Sequence, residues 1–266
     1  MKKKILALCL VVVLAVTAVT GATLAYFTDT DEVKNTFSMG KVDIKLDETN
    51  IEKPDGDRVQ ANDYTGTNMV PGHVFTKDPT IHVLKGSEDS YIFLDVTINK
   101  FNSLAWVMAK NDNSNVAPYM NNGKFSTMLF VDALLNNKEL RERVANAWFN
   151  GIEHANWAIK DVVLNGDYAT VRLAFQGDGD ATPNTVNAKE ITDKSIDIRF
   201  MESFQMPATV TQEMIDAGVT EGKMAHTFNT AAENFHMNFK AYAIQADTLA
   251  DVDAAYEALF DSEPRF

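Results

Sequence analysis

The sequence predicts a mainly β protein, a jelly-roll-type antiparallel β-sandwich with helical insertions and a C-terminal helix. Three observations carry this. Ser90–Lys100 alternates strictly, with Ile92, Leu94, Val96 and Ile98 on one face and Tyr91, Phe93, Asp95 and Thr97 on the other. The aromatic pair on the second face implies that this face is partly covered too. Asn165-Gly166 separates two strand-like runs and is a strong hairpin signal. Phe125–Ile152 changes instead to helical spacing, so a helical insert interrupts the strands.

The chain opens with a leader. Met1–Lys4 is cationic, Ile5–Val19 is apolar, and small residues then lead to Ala25. That is the layout of a secretory signal peptide. Thr23 and Ala25 are small enough for the −3 and −1 subsites of a type I signal peptidase, which makes Tyr26 the new N-terminus. The expected organisation is residues 1–25 as signal peptide and 26–266 as a single β-sandwich domain, with its helical insert at about 125–152. Losing the leader removes Lys2, Lys3 and Lys4 and no acid, so the formal charge moves from −13 to −16. Nucleic acid and anionic membrane surfaces repel such a chain. Membrane contact is expected only through the leader, before cleavage. The only cysteine, Cys9, leaves with it, and no disulfide or thiolate chemistry remains.

Beyond the cut, Thr28–Lys34 is polar and acidic. The apolar parity of Phe37 and Met39 differs from that of Val42, Ile44 and Leu46, and a bulge at Gly40 reconciles the two as one bent strand. Thr49–Thr67 is loop by composition. His73–Leu84 is extended, with a break at Pro79. Phe101–Lys124 is Asn-rich and expected to be irregular. In the helical insert the apolar positions are Met128, Leu129, Val131, Leu134, Leu135, Leu140, Val144, Ala147 and Trp148, divided into two helices near Asn136-Asn137. A two-residue loop at Asn165-Gly166 sets Val162 and Leu164 on the face of Ala169, Val171, Leu173 and Phe175. Gln176–Asn187 is a loop, and Ser195–Phe204 is a strand. Thr211–Ala217 predicts a short helix stopped by Gly218. Phe235–Ala246 is the last strand. Thr248–Phe260 is an amphipathic helix with Thr248-x-x-Asp251 as its capping box.

One stretch is more specific. The leader ends A-T-L-A, followed by Y-F, an acidic spacer, and N-T-F-S-M-G-K-V-D-I. This pattern resembles the TasA/camelysin (CalY) family of Gram-positive bacteria, and Met69–Asn99 and Phe235–Asp247 resemble it more loosely. The resemblance implies the sandwich fold, release by a SipW-type signal peptidase, and a secreted protein of the extracellular matrix or cell surface. It also implies biofilm-type fibres built head to tail by donor-strand exchange. In that scheme Tyr26 and Phe27 anchor the donor strand, and Val33, Phe37 and Met39 extend its apolar row. Asp29, Asp31 and Glu32 fit such a strand poorly. Two rivals follow: a camelysin-like surface metallopeptidase, and a surface adhesin or glycan-binding module using Trp106, Trp148 or Trp157.

The residues favour the non-enzymatic reading. His73, His82, His154, His226 and His236 include no helical i, i+4 pair and no H-E-x-x-H, and there is no G-x-S-x-G. No catalytic residue, metal ligand or cofactor is therefore expected. Asp178-Gly179-Asp180, Asp55-Gly56-Asp57 and Asp29-x-Asp31-Glu32 offer oxygens to Ca²⁺, but solvated turns are their default.

Overall fold

The computed structural model describes residues 28–30, 42–49, 58–60, 70–113, 115–177, 185–221, 235–247 and 249–260. In chain order the strands and helices begin with β1 (Thr28–Thr30), β2 (Ile44–Glu48), β3 (Val59–Gln60), β4 (Val74–Thr76), β5 (Thr80–Leu84) and β6 (Ser90–Ile98). A helical region follows: α1 (Phe101–Asp112), the short ladder of β7 (Met120–Asn121) with β8 (Lys124–Phe125), α2 (Thr127–Asn136) and α3 (Lys138–Trp148). Then come β9 (Phe149–Asn150), β10 (Trp157–Asn165), β11 (Tyr168–Phe175), β12 (Ser195–Arg199) and β13 (Ser203–Gln205). The chain closes with α4 (Gln212–Glu221), β14 (Met237–Gln245) and α5 (Val252–Phe260). The result is mainly β, an antiparallel sandwich with helical insertions.

The large sheet runs β1-β14-β6-β11-β10 and faces a second sheet ordered β12-β5-β2-β3, while β4-β13-β9 forms a third. Strand β6 lies at the centre because both of its faces are apolar. Its even positions Ile92, Leu94, Val96 and Ile98 join Ile44, Leu46, Ile81 and Val83 of the second sheet in the main core. Its odd positions Tyr91 and Phe93 meet Tyr242 and the helix α5 on the far side. Phe260 of α5 sits edge-on to Phe93 at 5.8 Å and to Tyr242 at 5.0 Å, a favoured aromatic geometry. Asp95 continues that face and accepts from Tyr242 Oη at 3.1 Å and Arg172 Nε at 3.3 Å.

Several expectations change. Phe101–Asp112 is helical, not irregular. Its buried residues include Phe101, Leu104, Trp106, Val107 and Met108, so apolar side chains surround the axis and leave no amphipathic signature. The helical part therefore starts at Phe101. Helices α2 and α3 do divide at Asn137, whose side chain accepts from Leu140 N–H at 3.0 Å as an N-cap. Of the apolar positions at helical spacing, Met128, Leu129 and Leu135 are exposed, while Phe130, outside that set, is fully buried. The hairpin loop is Gly166-Asp167, so Val162 pairs with Val171 and Leu164 with Ala169. A two-residue shift preserves the expected face.

Gly218 does not stop α4; the helix runs through it. A Cβ there would lie 3.0 Å from Val107 Cγ2 and 3.2 Å from Trp106 Cδ1. Ser103 Oγ donates to the Gly218 carbonyl at 2.7 Å. Glycine is present because α1 and α4 touch there. Ser195–Phe204 is not one strand. It divides between β12 in the second sheet and β13 in the third. Helix α5 is capped by Asp251, which accepts from Asp253 and Ala254 N–H at 3.0 and 2.9 Å. Asp251 therefore occupies the N-cap, and Thr248 lies outside the described residues. The Gly40 bulge lies outside them too, and Val59–Gln60 adds a short strand within the expected Thr49–Thr67 loop.

Candidate assembly edge and charged cluster

Thr28–Thr30 forms the outermost strand of the large sheet. It pairs antiparallel with β14, Thr28 opposite Ile244, Asp29 opposite Ala243 and Thr30 opposite Tyr242. Strand β14 is nine residues long, and β1 spans only its C-terminal part. On its other side β14 pairs with β6 along its whole length. The edge of a sheet, with its row of backbone N–H and C=O groups, is a template for strand addition. The expected cleavage residues Thr23, Ala25 and Tyr26 and the donor residues Tyr26, Phe27, Val33, Phe37 and Met39 lie outside the described residues.

A second feature occupies the outer face of the second sheet. Across β2, β5 and β12, Lys45 stands opposite His82 and His82 opposite Asp197. Asp47 shares the parity of Lys45, so it joins this row. His82 Nε2 lies 2.8 Å from Asp47 Oδ1, and its Nδ1 lies 2.7 Å from Asp197 Oδ1. Arg58 closes over the row from the following loop. It donates to the Asp47 carboxylate, to Asp78 Oδ2 at 3.0 Å and to Thr80 Oγ1 at 2.9 Å. Thr49 donates through N–H and Oγ1 to the two Asp78 oxygens, each at 2.7 Å. The arrangement clamps the ends of a long connection onto the sheet.

Burial by itself raises the Asp47 pKa, but hydrogen bonds from Arg58, His82 and Lys45 outweigh it and hold the carboxyl below its ordinary value. Asp197 is lowered in the same way, by Ser195 and His82. Glu48 goes in the opposite direction. In phase with Ile44 and Leu46, it projects into the interior, where burial raises its pKa despite Lys77. Lys77 Nζ lies 2.8 and 2.7 Å from its two carboxylate oxygens, and both side chains are almost completely buried.

The described histidines do not converge. His82 is bracketed by two aspartates on opposite ring nitrogens, so these carboxylates cannot chelate one ion together with the ring. His154 bonds Asn146 at 2.8 Å, His236 bonds Asn99 at 2.9 Å, and His73 packs on Phe75. Among the described residues no three His, Cys, Asp or Glu side chains form a group suited to a metal ion. His226 and the three acidic loop clusters, apart from Asp29, lie outside them. Trp106, Trp148 and Trp157 are all buried, so they form no exposed platform for a glycan. Among the described residues no helix is long and apolar enough to cross a membrane.

Sequence reasoning missed the clamp because its members come from separate loops and strands. One signal was present: Glu48 keeps the apolar phase of β2, which placed a carboxylate in the core.

A family model described as camelysin metallo-endopeptidase matches residues 1–203, well over half of the chain. No curated protein and no solved structure matches it.

Proposed function

Since the chain belongs to the camelysin family, we propose that it is a structural protein of the cell surface or matrix. A SipW-type signal peptidase frees its N-terminus between Ala25 and Tyr26, and the released strand then joins a neighbouring copy. Family membership supports the secreted or surface location. The observation that carries assembly is the pairing of Thr28–Thr30 on the edge of β14.

Every copy holds both a donor strand and its acceptor edge. In an isolated chain the two pair with each other. In a concentrated solution the same hydrogen bonds form between copies, as in domain swapping, and a head-to-tail exchange that does not close grows a filament. Tyr26 and Phe27 enter the membrane-proximal leader before cleavage and need burial afterwards, since a fully buried Phe is stabilised by about 1.5–3 kcal/mol over an exposed one.

The role proposed is structural and takes no catalytic step. Cysteine pairing tests the exchange, because the cleaved chain contains no other thiol. One chain carries Asp29→Cys and the other Ala243→Cys, and the two are mixed at high concentration and oxidised. Exchange yields covalent heterodimers and filaments. A mixture that stays monomeric while a doubly substituted chain closes on itself overturns the proposal.

A further inference from the structure

The helical insert does not sit flush on the large sheet. Between α2, α3 and strands β6, β11 and β10 lies a cavity of about 580 Å³. Its walls are apolar: Val162, Val171 and Leu173 from the sheet, and Val131, Leu134 and Ala145 from the helices. Several of these side chains are only half-buried, although they point between two layers of structure. Protein interiors rarely tolerate voids much larger than a water molecule. Apolar clefts of roughly 300–1,000 Å³ with a few polar groups are the usual form of small-molecule sites.

The polar part of the lining is concentrated on α3 and the segment beyond it: Lys138, Arg141, Glu142 and His154, with Gln176. Exposed Lys138 marks the rim, 3.7 Å from Glu142. Arg141 is fixed there by Nη1 donating to the carbonyls of Leu134 and Leu135 at 2.9 and 3.1 Å. Burial lowers the pKa of His154, so it adds no charge at neutral pH. The rim thus bears two cations against one anion, in a chain whose total charge is −13. A locally positive rim over an apolar cleft is unusual on so acidic a protein.

We propose that this cleft binds a single-chain anionic amphiphile such as a fatty acid, its acyl chain between β10–β11 and α2–α3 and its carboxylate at Lys138 and Arg141. The inference is independent of strand exchange, which uses the opposite edge of the same sheet. Burying the half-exposed Val162 and Val171 against the acyl chain provides the driving force. The rim charges select the head group.

Cis-parinaric acid is a direct probe, because it accepts energy from Trp157 in the cavity wall. The exported chain should bind it saturably with one site per chain, and dodecanoate should displace it. Dodecanol should compete up to about fivefold more weakly, the span expected for one partly exposed charge contact. Lys138→Glu should erase that preference. Ala145→Trp, which fills the cleft, should abolish energy transfer; Ala158→Phe serves the same purpose if the first variant does not fold. The proposal is overturned by no saturable signal below the micellar concentration, or by binding that both filling variants leave intact. Equal affinity for acid and alcohol overturns the head-group assignment. If only a chain lacking Tyr26–Asn35 binds the probe, the cleft belongs to that segment and the ligand reading fails.

Discussion

The two ends of the large sheet are covered in opposite ways. Where β6 and β14 run side by side, the second sheet closes one face and α5 the other, and Ile92, Leu94, Ala241 and Ala243 are almost completely buried. Toward β11 and β10 the face opposite α5 is covered, among the described residues, chiefly by the helical insert, which stands off. Ile159, Val162 and Val171 remain half-buried above the cavity. Alternating apolar strands supply both ends. What differs is the partner layer: a sheet follows the twist of another sheet closely, whereas the helices α2 and α3 touch it along a few ridges.

The contrast is sharpest in truncation. Leu94→Ala should cost about 2–5 kcal/mol, because a fully buried side chain leaves a void that cannot collapse. Val162→Ala, beside an existing cavity, should cost less than about 1 kcal/mol, the value of one or two partly buried methyl groups. Urea denaturation of both variants measures the difference. Equal losses would mean that the β10 end is as tightly packed as the centre.

The packing of α1 on α4 offers a second test of tightness. Gly218→Leu drives a side chain into Val107, Trp106 and the Ser103 carbonyl, and should lose about 1–3 kcal/mol by overpacking. Gly218→Ala is a finer probe, since its helix-propensity gain of about 1 kcal/mol opposes the crowding. A stable Leu variant would show that the two helices can separate without cost.

The charged groups at the well-covered end predict an acid profile. Asp47 is depressed below its ordinary 3.8, so its stabilisation is fully present above that value and is lost as pH falls through the lower folded pKa. Glu48 is raised above its ordinary 4.5, so the folded chain takes up its proton first and gains stability as pH falls through the raised value. Urea midpoints should therefore hold or rise slightly on acidification toward 4.5 and fall below 3.8. Asp47→Asn should flatten the lower limb, and Glu48→Gln the upper rise. Stability that climbs steadily below 3.8 would contradict the assignment.

The smallest effect is expected on α2. Met128→Glu should change stability by no more than about 0.5 kcal/mol, because the side chain is 62% exposed and lies outside the packed face. A larger loss would place Met128 against a partner.

Much of this architecture was legible in the sequence, because its determinants are local. Strand β6 declared both faces through period-two alternation, and Tyr91 and Phe93 already implied the cover that α5 provides. The division at Asn137 was visible because a cap and a change of apolar phase fall together. The hairpin face survived an incorrect loop assignment, since a shift of two residues leaves side-chain direction unchanged. Tertiary structure decided the rest. Helix α1 is buried all round, and periodicity cannot report a helix without a polar face. Gly218 resembles a helix stop until Val107 and Trp106 are brought against it. Arg58, Asp47, His82, Asp78 and Asp197 acquire shared chemistry only through strand pairing and loop closure, interactions between positions up to 115 residues apart along the chain. The cavity is less legible still, because it is the distance between two layers, and no residue encodes that distance alone.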